Sequence, residues 1–120
     1  MKNGVYTVTL EQVSAWLDPE LMQWAKVSRP LLVGMYKGEY VCIFGLIPTS
    51  FLSDSAYLWL WFPHIVPKVV FGRHAAKTMP KLLALYGKLI CNCYSPDSAR
   101  WLYSLGATRI SPTLFEFHHG

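Results

Sequence analysis

Acidic residues are scarce in this chain of 120 residues: seven Asp and Glu stand against eleven Lys and Arg. None lies between Asp54 and Asp97, while Lys68, Arg73, Lys77, Lys81 and Lys88 all fall inside that gap. Charged residues make up only 15% and hydrophobic residues 52%, a balance that excludes a disordered chain, which combines low hydrophobicity with high net charge. Long apolar runs are missing too. Tyr40–Ile47 and Ala56–Phe62 are the longest, far short of the roughly 20 residues a helix needs to cross a bilayer, so no membrane span is expected. The opening M-K-N-G-V-Y-T-V has no apolar core of the kind a secretory signal carries. Cysteines number three, an odd count, and Cys91 and Cys93 sit two apart on one strand face, poorly placed to bridge each other. A reducing cytosol and buried thiols fit this usage better than a disulfide framework or a zinc site. Repeats, low-complexity tracts and linkers are absent, and the length suits one domain, residues 1–120.

What is present reads as alternating strands and helices. Val5–Val8 alternates like a strand. Thr9 with Gln12 forms a capping-box pattern, opening a helix whose apolar face is Val13, Trp16 and Leu17. Asp18-Pro19 opens a second short helix, to about Lys26, and Arg29-Pro30 ends it. Leu31–Tyr36, the turn Lys37-Gly38 and Glu39–Ile47 form a hairpin. Ala56–Phe62 is a continuous apolar strand, expected to be covered on both faces. Val69–Tyr86 has helical spacing, but Pro80 implies either a kink or a helix that starts near Thr78. Leu89–Tyr94 is a strand. Ser95, Pro96 and Asp97 then suit the start of a helix that Gly106 stops, and short strands follow at Ile110 and Leu114–Phe117. The order β-α-α-β-β-β-α-β-α-β-β implies an α/β (α+β) fold, a mixed central sheet with helices on both faces.

Arg73, Lys77 and Lys81 recur every four residues and form one helical stripe. A solvated surface is the commonest fate of such a stripe. A phosphate site for a cofactor is the next reading, and nucleic acid ranks below it because no nucleic-acid-reading motif accompanies the charge. Five Trp, seven Tyr and six Phe supply a heavy core, and leave scope for an exposed patch and for self-association.

The closing run Asn92–Ala107, N-C-Y-S-P-D-S-A-R-W-L-Y-S-L-G-A, with the element order before it, resembles the GNAT acyltransferase fold. That resemblance implies an acyl-CoA, acetyl-CoA foremost, lying against the fourth strand at Leu60 and Phe62. It implies a pyrophosphate turn of the form Q/R-x-x-G-x-G/A at Arg73-His74-Ala75-Ala76-Lys77-Thr78, so that Arg73, Ala75 and Ala76 join the cofactor site. It also implies a ligand-facing amide at Asn92. Two departures stand out. Thr78 is bulkier than the Gly or Ala of that turn, and Leu102 occupies the place of the tyrosine that protonates the leaving thiolate. Ala56–Phe62 contains no carboxylate to act as base, leaving Asp54 and Glu39 nearby.

The segment A-R-W-L-Y-S-L-G-A, with K-T-M-P-K-L, is also similar to the small internal virion proteins of T7-like bacteriophages. The leading expectation is therefore a GNAT-like phage protein without catalysis. It would serve in virion morphogenesis or genome ejection, in the virion or the host cytoplasm, among other phage or host proteins. The alternative is an active acyl-CoA-dependent N-acyltransferase; the third is a small inhibitor of a host protein.

Overall fold

The computed structural model describes residues 4–49, 54–61, 68–92 and 96–118. The elements follow the expected order. They are β1 (Gly4–Thr7), α1 (Leu10–Val13) with a 3-10 turn (Ser14–Trp16), α2 (Pro19–Val27), β2 (Leu31–Tyr36), β3 (Glu39–Pro48), β4 (Ser55–Trp61), α3 (Lys68–Leu85), β5 (Lys88–Asn92), α4 (Pro96–Ser104), β6 (Thr108–Arg109) and β7 (Leu114–His118). The strands form one seven-stranded sheet in the order β1-β2-β3-β4-β5-β7-β6. The β1–β2, β2–β3, β5–β7 and β6–β7 pairs are antiparallel, and β4–β5 is parallel. Contacts gather the chain into two compact units, Met1–Ile47 with Leu58–Pro67 and Pro48–Tyr57 with Lys68–Gly120.

In the first unit, local chemistry sets each helix start. Gln12 Oε1 accepts the Thr9 N–H at 2.7 Å, the returning half of the capping box. Asp18 Oδ1 accepts the Leu21 N–H at 2.8 Å, with Pro19 at the first helical position. The hairpin turn has positive φ at both central residues, 52° at Lys37 and 79° at Gly38, the left-handed geometry that matches strand twist. Val13, Leu21, Ala25, Leu31, Val33, Ile43 and Trp59 bury together as the core of this unit. Trp16, expected on the buried helix face, is instead exposed and meets Tyr40 edge-on at 6.1 Å. The helix gives way to the 3-10 turn at Ser14, which changes the angular spacing and moves Trp16 off the buried side.

In the second unit, Leu89, Phe115 and Phe117 point to one side of β5 and β7 and are almost wholly buried. Each contributes on the order of 2 kcal/mol by leaving water. Leu102, Met79 and Leu82 are buried on α4 and α3. Gly106, at φ 96°, takes the left-handed conformation that stops α4, and the Ala107 N–H returns to the Leu102 carbonyl at 3.1 Å.

One alternative is settled and one expectation is corrected. Of the two alternatives for Val69–Tyr86, the longer helix stands: α3 begins at Lys68 and runs through Pro80. Pro80 and Ala76 are both exposed, so the carbonyl that loses its intrahelical donor at Pro80 faces water. The fourth strand is not covered on both faces along its length, because Tyr57 is 44% exposed. No described helix is long and apolar enough to cross a membrane.

Candidate functional site

The parallel β4–β5 ladder pairs Ser55, Ala56 and Tyr57 with Lys88, Leu89 and Ile90, and β5 runs two residues further to Asn92. Open α/β sheets take their ligands at the carboxyl ends of parallel strands, so the end bearing Asn92 is where a ligand is expected. Asn92 is the last residue of β5, pairs with Leu114 and is exposed. Leu60 is half-buried near the end of β4. Phe62 lies outside the described residues.

Arg73, Ala75 and Ala76 all lie on α3, and there the sequence reading needs correction. The stretch Arg73–Thr78 is helix interior, not a turn. Its amides point to carbonyls four residues back and cannot cradle a phosphate as an open turn does. Thr78 Oγ1 donates to the His74 carbonyl at 2.7 Å, a bond that belongs to continuous helix. The free amides of α3 belong to its first turn, which opens at Lys68. Arg73, Lys77 and Lys81 nonetheless form the stripe their spacing implies, and all three are exposed.

Leu102 is 4% exposed and packs into the core, so the tyrosine position of the resemblance holds a core residue here. Tyr103 turns outward, 47% exposed, with its ring edge-on to Phe115 at 5.3 Å. Asp54 stands at the opposite end of the strands. Its carbonyl accepts the Lys88 N–H at 3.3 Å, which places it about 16 Å from Asn92 along β5. Glu39 is exposed at the hairpin turn of the first unit.

Sequence reasoning missed a cluster on the second unit's sheet. The Lys88 ammonium lies 3.1 Å from Glu116 Oε1, and His118 Nε2 lies 3.4 Å from Glu116 Oε2. The alternation F-E-F-H signals that Glu116 and His118 share the face opposite Phe115 and Phe117. Only the β5–β7 register brings Lys88 to them. His118 is the last residue of β7; His119 lies outside the described residues. The buried Cys42 thiol is the opposite case: desolvation pushes it up from 9.0 to about 11, against a smaller downward pull from a backbone hydrogen bond at Gly34. It stays protonated and unreactive at neutral pH. Among the described residues no three His, Cys, Asp or Glu gather as a metal site.

No protein-family model matches the chain, and no curated protein matches it in sequence. Solved structures do match in fold. YncA of Salmonella typhimurium, an assigned acetyltransferase seen with its cofactor acetyl-CoA, superposes with a TM-score of 0.72 at 10% identity, over 100% of this chain and 95% of that one. The ribosomal-protein-S5-alanine acetyltransferase of Vibrio fischeri gives 0.65 at 11% identity, over 96% and 92%. The GNAT domain of S. lividans PAT gives 0.66 at 11% identity, over 95% and 89%. With its element order, its single described parallel pair and these superpositions along nearly all its length, the chain has the GNAT fold.

Proposed function

We propose that this protein is an acyl-CoA-dependent N-acyltransferase, with acetyl-CoA the expected donor. The observation that carries the reading is the near full-length GNAT fold, shared with acetyltransferases, one of them holding acetyl-CoA. These neighbours favour an acyltransferase over a virion role or a lost reaction. Leu102 removes a phenol from one helix position; it does not remove proton-transfer groups from the rest of the sheet.

The residues present fit the cofactor in charge. Coenzyme A is rich in phosphate, and α3 offers the exposed cations Arg73 and Lys77 without an acidic residue anywhere from Ser55 to Pro96. Arg73 and Lys77 would hold phosphate oxygens, and the Asn92 amide would hydrogen-bond the donor. When bound, the cofactor supplies an acyl group on a good thiol leaving group. The chain's own part is to orient that group, exclude water and move one proton from the amine.

Calorimetric titration with acetyl-CoA tests this. Micromolar binding is expected, weakened at least tenfold by Arg73→Glu. Absence of binding at millimolar acetyl-CoA would overturn the reading.

A further inference from the structure

We propose that Tyr57 gives the departing thiol its proton, in place of the phenol that Leu102 excludes; this rests on the acyltransferase reading above. The registers Tyr57↔Ile90, Ile90↔Glu116 and Asn92↔Leu114 set these five residues on one face of the second unit's sheet. The other face carries Ala56, Leu89 and Phe115 into the core, each 1% exposed or less. The Tyr103 ring meets Phe115 edge-on, so α4 lies on that filled face, and Leu102 is buried. The face with room for a ligand is therefore the one that Asn92 and Tyr57 share.

Tyr57 occupies the last rung of the described β4–β5 ladder, at the carboxyl end where such sheets take their ligands. It stands two residues, about 7 Å, along the strands from Asn92, and one strand, about 5 Å, across. It is 44% exposed, and among the described residues no hydrogen bond occupies its hydroxyl. The other described tyrosines of this unit lie elsewhere. Tyr103 packs on the Phe115 side, and Tyr86 precedes Lys88 by two residues, at the Asp54 end of the strands. The titratable groups on the Tyr57 face are Glu116, across Ile90 in the same row, and Lys88 and His118, two residues further from Asn92. Glu116 is already engaged by the Lys88 ammonium at 3.1 Å, and Thr108 of β6, opposite Glu116, is neutral. On this face Tyr57 is the described proton donor nearest the Asn92 amide that is not held in an ion pair.

The step balances without another reactant. The amine nitrogen bonds to the acyl carbon, the C–S bond breaks, and its electron pair leaves with sulfur. The phenol proton passes to that sulfur as it departs, which is general acid catalysis by a positioned side chain. The proton released from nitrogen returns to the phenolate through water, so the tyrosine is restored.

The test uses the full chain, acetyl-CoA, and a panel of primary amines comprising a polyamine, an unblocked peptide and an aromatic amine, with thiol release as readout. Tyr57→Phe keeps the ring and removes only the hydroxyl. It should lower kcat on the order of a hundredfold, leave acetyl-CoA affinity within twofold of wild type, and abolish the basic limb of the pH–rate profile. A ring-fluorinated tyrosine in place of Tyr57, a more acidic phenol, should move that limb to lower pH. Tyr103→Phe, which removes an exposed phenol on α4, should change neither rate nor profile. An unchanged rate and profile in Tyr57→Phe, or an equal loss in Tyr103→Phe, would overturn this assignment alone. Wild-type protein that fails to bind acetyl-CoA, or turns over no amine, would take the acyltransferase reading down with it.

Discussion

Two polar networks lie on this sheet, one in each unit, and burial separates their roles. In the first unit Trp59 Nε1 donates to Ser28 Oγ at 2.7 Å, and Ser28 Oγ donates to the Trp24 carbonyl at 2.8 Å. Ser28 is 5% exposed and Trp59 7%, so this chain of bonds ties the C-terminus of α2 to β4 out of reach of water. In the second unit Lys88, Glu116 and His118 form a cluster of similar size on a face that water reaches. Buried polar groups must be fully satisfied and are costly to disturb, whereas exposed ion pairs contribute little to stability. The first network therefore holds the fold together. The second, exposed to water, contributes little to holding the fold together.

The sharpest way to break this contrast is Gly45→Ala in the first unit. A Cβ at Gly45 would overlap Ser28 Oγ and lie 2.6 Å from Trp59 Nε1, so both partners of the buried bond would have to move. A loss of about 3 kcal/mol is expected, read as a lower urea midpoint with an unchanged slope. Ser28→Ala should cost somewhat less, about 2 kcal/mol, because it leaves the Trp59 N–H buried without its acceptor. A loss below about 0.5 kcal/mol would show that the first network is no more structural than the second.

Cys42 offers a pH-dependent version of the same comparison. Its thiol is raised in the folded state, so the unfolded chain gives up that proton first as pH rises. The folded state then binds more protons, and stability falls with increasing pH. The window opens near pH 9 and closes near pH 11. At pH 10 the loss from this group alone is about 1.4 kcal/mol. Comparing stability at pH 8 and pH 10 in wild type and Cys42→Ala isolates it; an equal decline in both would refute the burial argument.

Much of this was legible in the sequence, for physical reasons that differ by element. The helix starts at Thr9 and Asp18, the left-handed stop at Gly106 and the Lys37-Gly38 turn depend on a few adjacent residues, and each stands where those residues imply. Asn92 and Leu102 follow from counting along single elements. What failed depended on surroundings. Pro80 left two starts open for α3, and only its surroundings decide between them: its exposure lets water take the orphaned carbonyl, so the longer helix forms. The apolar run from Ala56 suggested cover on both faces, yet Tyr57 faces solvent, which no run of residue types reveals. The Lys88–Glu116–His118 cluster joins residues distant in the chain through the β5–β7 register, which no local pattern carries.

The smallest expected effect is the most discriminating. Glu116→Gln removes the charge that faces both Lys88 and His118 but keeps the side chain's shape. Lys88 is 37% exposed and His118 56%, so solvent screens most of what the pairs contribute. Thermal or urea unfolding should shift by less than about 1 kcal/mol. Glu116 lies next to Phe115 and Phe117, which point to the buried face, so a substitution that keeps its volume leaves the core packing intact. A loss as large as that of Ser28→Ala would mean that the cluster is a structural network like the one at Trp59. A near-neutral effect would mean that the fold gains almost nothing from this exposed cluster, in contrast to the buried bond at Trp59.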